Sequence, residues 1–159
     1  MKKEIYPFNK QMFIKLKKFA KIIILKCREE KINPIIYGSF MLFYYTQNEK
    51  LKVNDLDFYV REKDFTNLTN ILEKSQIRFK YSPELHTLQV FKGNLKLEFD
   101  SIDFWYKGRK ELINIHVDGI IVKALNLKSL KSIYKRAYER SKDNSKGNRI
   151  KYELLARLR

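Results

Sequence analysis

Cysteine is nearly missing from this 159-residue chain. Cys27 stands alone, so neither an internal disulfide nor a cysteine-based zinc site can form. It falls on the apolar face of a predicted helix, where a thiol is expected to be buried and inert. Long apolar runs are missing too: stretches such as Phe40 to Tyr45 are far too short to cross a bilayer. The chain opens without a charged-then-apolar leader ending in small residues. A cytoplasmic protein with no membrane part is therefore expected. Histidine is scarce, and His86 and His116 lie far apart, each reading as a strand-face residue rather than a ligand. No Walker-type glycine-rich loop, zinc-metalloprotease motif or nucleophile elbow occurs. No internal repeat or low-complexity segment is found.

Acidic residues are also short, 18 against 34 Lys/Arg, for a net charge of +16. The excess is uneven. Residues 1–31 hold 10 Lys/Arg against 3 Asp/Glu, and residues 128–159 hold 11 against 3, whereas residues 32–127 hold 13 against 12. Basic flanks around a near-neutral centre suit a polyanionic partner such as RNA. The same lysines also serve as the solvated faces of helices. What the chain does hold is apolar and aromatic side chains, 44% and 14% of its residues. That is a globular composition, and the length predicts a single domain over 1–159.

Met12, Phe13, Leu16, Phe19, Ala20, Ile23, Ile24 and Cys27 recur at three- and four-residue spacings, which predicts an amphipathic helix from about Asn9 to Lys31. Asn33-Pro34 ends it. Ile35-Ile36-Tyr37 reads as a short strand, and Gly38-Ser39 as the turn into a helix from Phe40 to about Gln47. A polar loop, Asn48 to Asn54, leads into Val53-Asn54-Asp55-Leu56-Asp57-Phe58-Tyr59-Val60. A helix over about Asp64 to Lys74 follows. Strands are expected at Ile77–Tyr81, His86–Phe91 and Leu95–Ile102, with Gly93-Asn94 turning the last two. Asp118-Gly119 joins Ile113–Val117 to Ile120–Leu125 as a hairpin. Helices at about Leu127–Arg140 and Asn148–Arg157 close the chain. The order predicts an α/β or α+β fold: a mixed β-sheet flanked by helices, with a C-terminal helical tail.

In the run from Leu56 to Val60, apolar residues alternate with Asp55, Asp57 and Tyr59, which puts both carboxylates on one strand face. Like charges so placed repel, and a strand gains nothing from them. A divalent cation removes that objection, since Mg²⁺ is held by one or two carboxylates plus substrate phosphates. Gly38-Ser39 stands between strand and helix, where free backbone N–H groups can receive phosphate. Glycine permits close approach there, and serine can cap the helix or donate to an oxygen. Leu95, Leu97 and Phe99 alternate with Lys96, Glu98 and Asp100, so a later strand carries carboxylates as well.

Ile36-Tyr37-Gly38-Ser39, Asn54-Asp55-Leu56-Asp57-Phe58-Tyr59-Val60 and Leu97-Glu98-Phe99-Asp100, in that order, resemble the nucleotidyltransferase superfamily, whose fold is similar to that of DNA polymerase β. The resemblance covers about residues 35–103, with 127–159 looking like the accessory helices that many members append. It looks most similar to compact bacterial members, among them abortive-infection toxins and antibiotic nucleotidyltransferases. The resemblance implies that Asp55, Asp57 and Asp100 hold a two-ion Mg²⁺ site. Gly38 and Ser39 would cradle the β/γ phosphates of ATP or another NTP, and Asp100 would also act as general base. Lys142 or Lys146 would meet the triphosphate. Glu98 and Asp103 compete with Asp100 for the third position. Fifteen residues separate Ser39 from Asp55, more than many members have.

The function expected is transfer of a nucleoside monophosphate to an acceptor hydroxyl. RNA, particularly tRNA, is the favoured acceptor, which suits a toxin restrained by an acidic antitoxin. An antibiotic acceptor is the rival within the class, and a non-catalytic basic nucleic-acid-binding module the rival outside it. Trp105 and Tyr106 offer stacking for a base or acceptor, or core or rim packing.

Overall fold

The structure is a computed structural model and describes residues 3–108, 110–140 and 146–159, except for the Lys146 side chain. The apolar stripe of the N-terminal segment forms α1 (Lys10–Glu29), and Phe13, Leu16, Phe19, Ala20, Ile23, Ile24 and Cys27 are buried along it. Burial pushes the Cys27 thiol up to about 12, with a contribution from Asp64, so it stays protonated and inert. Next come β1 (Ile35–Tyr37), α2 (Ser39–Thr46) and β2 (Leu56–Val60), then α3 (Phe65–Lys74). β3 (Arg78–Ser82), β4 (Thr87–Lys92) and β5 (Leu95–Ser101) form a meander. A single-turn helix α4 (Ile102–Trp105) precedes the hairpin β6 (Leu112–Val117) and β7 (Ile120–Leu125). The chain ends in α5 (Leu127–Arg140) and α6 (Lys146–Ala156).

The seven strands form one sheet in the order β3-β4-β5-β2-β1-β7-β6. β2 runs parallel to β5 and antiparallel to β1, while β1 runs parallel to β7, so the sheet is mixed as expected. The sheet's apolar face carries Leu56, Phe58, Leu97 and Phe99, all with no exposed surface, against α1 and α3. The Phe58 and Phe99 rings stack at 4.9 Å, which locks β2 to β5 from beneath. That buried cluster extends to Tyr134 of α5 and Leu155 of α6. No helix among the described residues is long and apolar enough to cross a membrane.

Several boundaries shift by a residue or two from those expected, β3 and β4 among them, with His86 falling just ahead of β4, and two of the shifts bear on the site. β5 ends at Ser101, because the Ser101 hydroxyl accepts the Phe104 N–H at 3.2 Å and starts α4 where a strand through Ile102 was expected. Asp55 sits in a bend just ahead of β2 rather than inside the strand.

Candidate active site

β2 lies at the centre of the sheet with β1 on one side and β5 on the other. Its register sets the site. Asp57 is opposite Tyr37 of β1 and Glu98 of β5, and Glu98 is in turn opposite Gln89 of β4. The next row along the same face is Ile35, Tyr59, Asp100 and Thr87. Side chains in one row of one face are direct neighbours. Glu98 is thus the immediate neighbour of Asp57, and Asp100 stands one row further on.

Asp57 and Glu98 are also hydrogen-bonded. Burial pushes the Asp57 carboxyl well above the usual carboxylate range, and the charges of Asp55, Glu98 and Asp100 push it in the same direction. Asp100 is 7% exposed and holds two hydrogen bonds. The Tyr37 hydroxyl donates to its Oδ2, and the Thr87 hydroxyl donates to its Oδ1 at 2.7 Å. Burial raises the Asp100 carboxyl to about 6 even though both donors favour its ionised form. Tyr37 titrates well above its ordinary range because it is buried against these acids, so it remains a donor. Asp55 pairs with Lys96 at 3.3 Å and is partly exposed.

Gly38 brings the start of α2 against this cluster. Its backbone, at φ 75° and ψ −154°, is a conformation that glycine alone adopts readily. A Cβ there would lie 2.2 Å from Asp57 Oδ2. The first intrahelical bond of α2 runs from the Leu42 N–H to the Gly38 carbonyl, at 3.0 Å. The N–H groups of Ser39, Phe40 and Met41 precede it and have no intrahelical acceptor. They point, with the positive end of the helix, to the side where Asp57 stands.

A residue that sequence reasoning passed over fixes the approach to Asp55. The Asn9 side chain, at the start of α1, donates to the Val53 carbonyl at 2.7 Å and accepts the Val53 N–H at 3.0 Å. Val53 itself is fully buried. This double clamp anchors the end of the long loop between α2 and β2. Tyr37 and Thr87 were missed as well. Their roles depend on pairings between strands that are distant in sequence.

The remaining predicted residues are dispersed. Asp103 lies on α4, is exposed, and accepts the Glu62 N–H at 2.8 Å, so it is not part of the carboxylate face. Lys142 falls outside the described residues. Lys146 begins α6, without a described side chain. His86 is hydrogen-bonded to Glu62 at 2.9 Å and stacked on Phe104 at 3.9 Å. His116 is exposed on β6, at the sheet edge.

Among the described residues, no three His, Cys, Asp or Glu side chains converge as a ready-made metal centre. The donor chemistry nonetheless fits a hard cation. Asp55, Asp57 and Glu98 supply oxygen ligands only, and Asp57 resists ionisation because it is buried and has acidic neighbours, a penalty that a divalent ion would offset.

No protein-family model matches the chain, and no curated protein matches it by sequence. Solved structures do. The antibiotic-resistance factor ANT(2'')-Ia superposes with a TM-score of 0.70 at 13% identity, over 91% of this chain and 84% of that one. An antigenic nucleotidyltransferase-like protein from Paracoccidioides brasiliensis gives 0.67 at 11%, over 94% and 78%. The lincosamide antibiotic adenylyltransferase LnuA, in its lincomycin-bound structure, gives 0.62 at 8%, over 89% and 97%. The chain has the nucleotidyltransferase fold, as the order of its motifs implied.

Proposed function

We propose that this protein is a Mg²⁺-dependent nucleotidyltransferase that moves a nucleoside monophosphate from an NTP such as ATP to a hydroxyl of RNA. One observation carries the reading: Asp57 is pressed between the glycine that opens α2 and a second carboxylate, Glu98, on the neighbouring strand. A strand built only for stability has no use for such crowding.

Asp55, Asp57 and Glu98 would hold the metal, which when bound offsets charge on the triphosphate. The N–H groups of Ser39, Phe40 and Met41, with the Ser39 hydroxyl, receive the terminal phosphates. The acceptor oxygen attacks the α-phosphorus and a new O–P bond forms. The bond from that phosphorus to the bridging oxygen breaks, and pyrophosphate leaves with the electron pair. Asp100, oriented by Tyr37 and Thr87, takes the proton of the attacking hydroxyl. The chain works as one unit in this reading, with 35–103 as the core and 127–159 as accessory helices.

RNA is favoured over a cationic drug because the cleft next to Asp100 presents Arg136 and Arg140. Like charge repels an aminoglycoside and attracts a phosphodiester. The test is pyrophosphate release from each NTP in the presence of total RNA. Wild-type protein should release it with Mg²⁺, and Asp57→Ala should not. Equal release from both would refute the assignment.

A further inference from the structure

A cleft of about 260 Å³ opens between the sheet and α5, on the Asp100 side of the carboxylate row. Its lining divides by burial. Asp100 and Tyr106 are 7% exposed and Tyr59 only 4%, while Trp105 is 44% exposed and the two arginines are exposed. The inner wall is thus acid and aromatic, and the outer wall is an indole and two guanidinium groups. Arg136 and Arg140 are four residues apart on α5 and so share a helix face. Trp105 is not a loose rim residue. Its ring N–H donates to the Leu85 carbonyl at 3.0 Å, and Phe104 packs edge-on against it at 5.0 Å. A fixed, half-exposed indole beside paired guanidinium groups is the combination that binds a nucleotide: stacking for the base and bidentate donors for the phosphate. Neither Gly38 nor Asp57 lines this cleft, so it is distinct from the place assigned to the triphosphate.

We propose that this cleft seats the 3′-terminal nucleotide of an RNA strand, its base against Trp105 and its phosphate on Arg136 and Arg140. The proposal rests on the transferase reading, since it sets the terminal ribose hydroxyl facing Asp100. It goes further by naming an end-specific acceptor site. The placement of the lining favours an end over an internal stretch: the nearly buried Asp100 and Tyr59 line the cleft together with the exposed Arg136 and Arg140, and a volume of about 260 Å³ suits a single terminal nucleotide.

The test is equilibrium binding, without NTP or Mg²⁺, of a single-stranded RNA oligonucleotide with a free 3′ hydroxyl and of the same sequence joined into a circle. The linear form should bind about tenfold more tightly, in line with one stacked base plus its phosphate contacts. Trp105→Ala and Arg136→Ala/Arg140→Ala should each remove that difference, and Trp105→Phe should keep most of it. Binding of NTP with Mg²⁺ to the same folded variants, checked by thermal melting, should be unchanged. Equal affinity for line and circle would overturn the proposal. So would an arginine double variant that keeps its preference for the end but loses NTP, which would give the cleft to the triphosphate instead. Failure of the transferase reading alone looks different: NTP is neither bound nor consumed, while the end preference persists.

Discussion

A Cβ placed on Gly38 would lie 2.2 Å from Oδ2 of Asp57 and 2.9 Å from its Cγ. The turn that opens α2 and the central acid of β2 therefore meet with no room for a side chain on the helix.

Gly38→Ala should act on both residues. The alanine would have to hold a φ of 75°, which costs about 1–3 kcal/mol for a non-glycine residue. It would also push the Asp57 carboxylate away from its place. We expect a lower melting temperature and at least a hundredfold fall in kcat. A variant with normal turnover would show that this contact is incidental.

Asp57 should cost the metal-free fold stability at neutral pH. Its carboxyl is raised in the folded state, so the folded protein holds a proton that the unfolded chain releases near pH 4. Stability then falls as pH rises from about 4 through the folded value. Asp57→Asn removes the penalty. In chelator, it should melt higher than wild type at pH 7.5, with the gap closing toward pH 4, and it should have no activity. A variant that melts lower throughout would contradict the account of the buried charge.

Glu98 and Asp100 should separate by kinetics. Glu98 lies opposite Asp57, whereas Asp100 takes hydrogen bonds from Tyr37 and Thr87 one row away. Glu98→Gln is expected to raise the Mg²⁺ needed for half-maximal rate by tenfold or more. Asp100→Asn is expected to lower kcat at saturating Mg²⁺ while leaving that requirement nearly unchanged. The reverse pattern would exchange their roles.

Phe99→Ala tests the support beneath the site. Phe99 has no exposed surface and stacks on Phe58, so its loss should cost about 3–5 kcal/mol. Chemical denaturation measures this directly. A cost below about 1 kcal/mol would mean that the β2–β5 pairing does not depend on this core.

Much of this was legible in the sequence because it is local. The stripe from Phe13 to Cys27 specifies α1, alternation from Leu56 to Val60 specifies β2, and the Gly93-Asn94 and Asp118-Gly119 pairs turn their hairpins. Gly38 lies at a positive-φ start of a helix, which its residue type anticipated. What stayed hidden is register. Nothing local states that Glu98, rather than Asp100, falls beside Asp57, because β2 and β5 pair across some forty intervening residues. The Asn9 clamp on Val53 spans 44 positions and is equally invisible. The start of α4 was within reach, since Ser101 is a good helix-capping residue, but the alternation from Leu95 to Phe99 carried on through it to Ile102 and masked the signal.

The most direct measurement is transfer of α-³²P label from each of the four NTPs to total cellular RNA with Mg²⁺, comparing wild type with Asp55→Ala/Asp57→Ala. The account predicts labelled RNA from at least one nucleotide with wild-type protein and none with the double variant. Label that persists in the double variant, or that no nucleotide delivers to RNA, would contradict it.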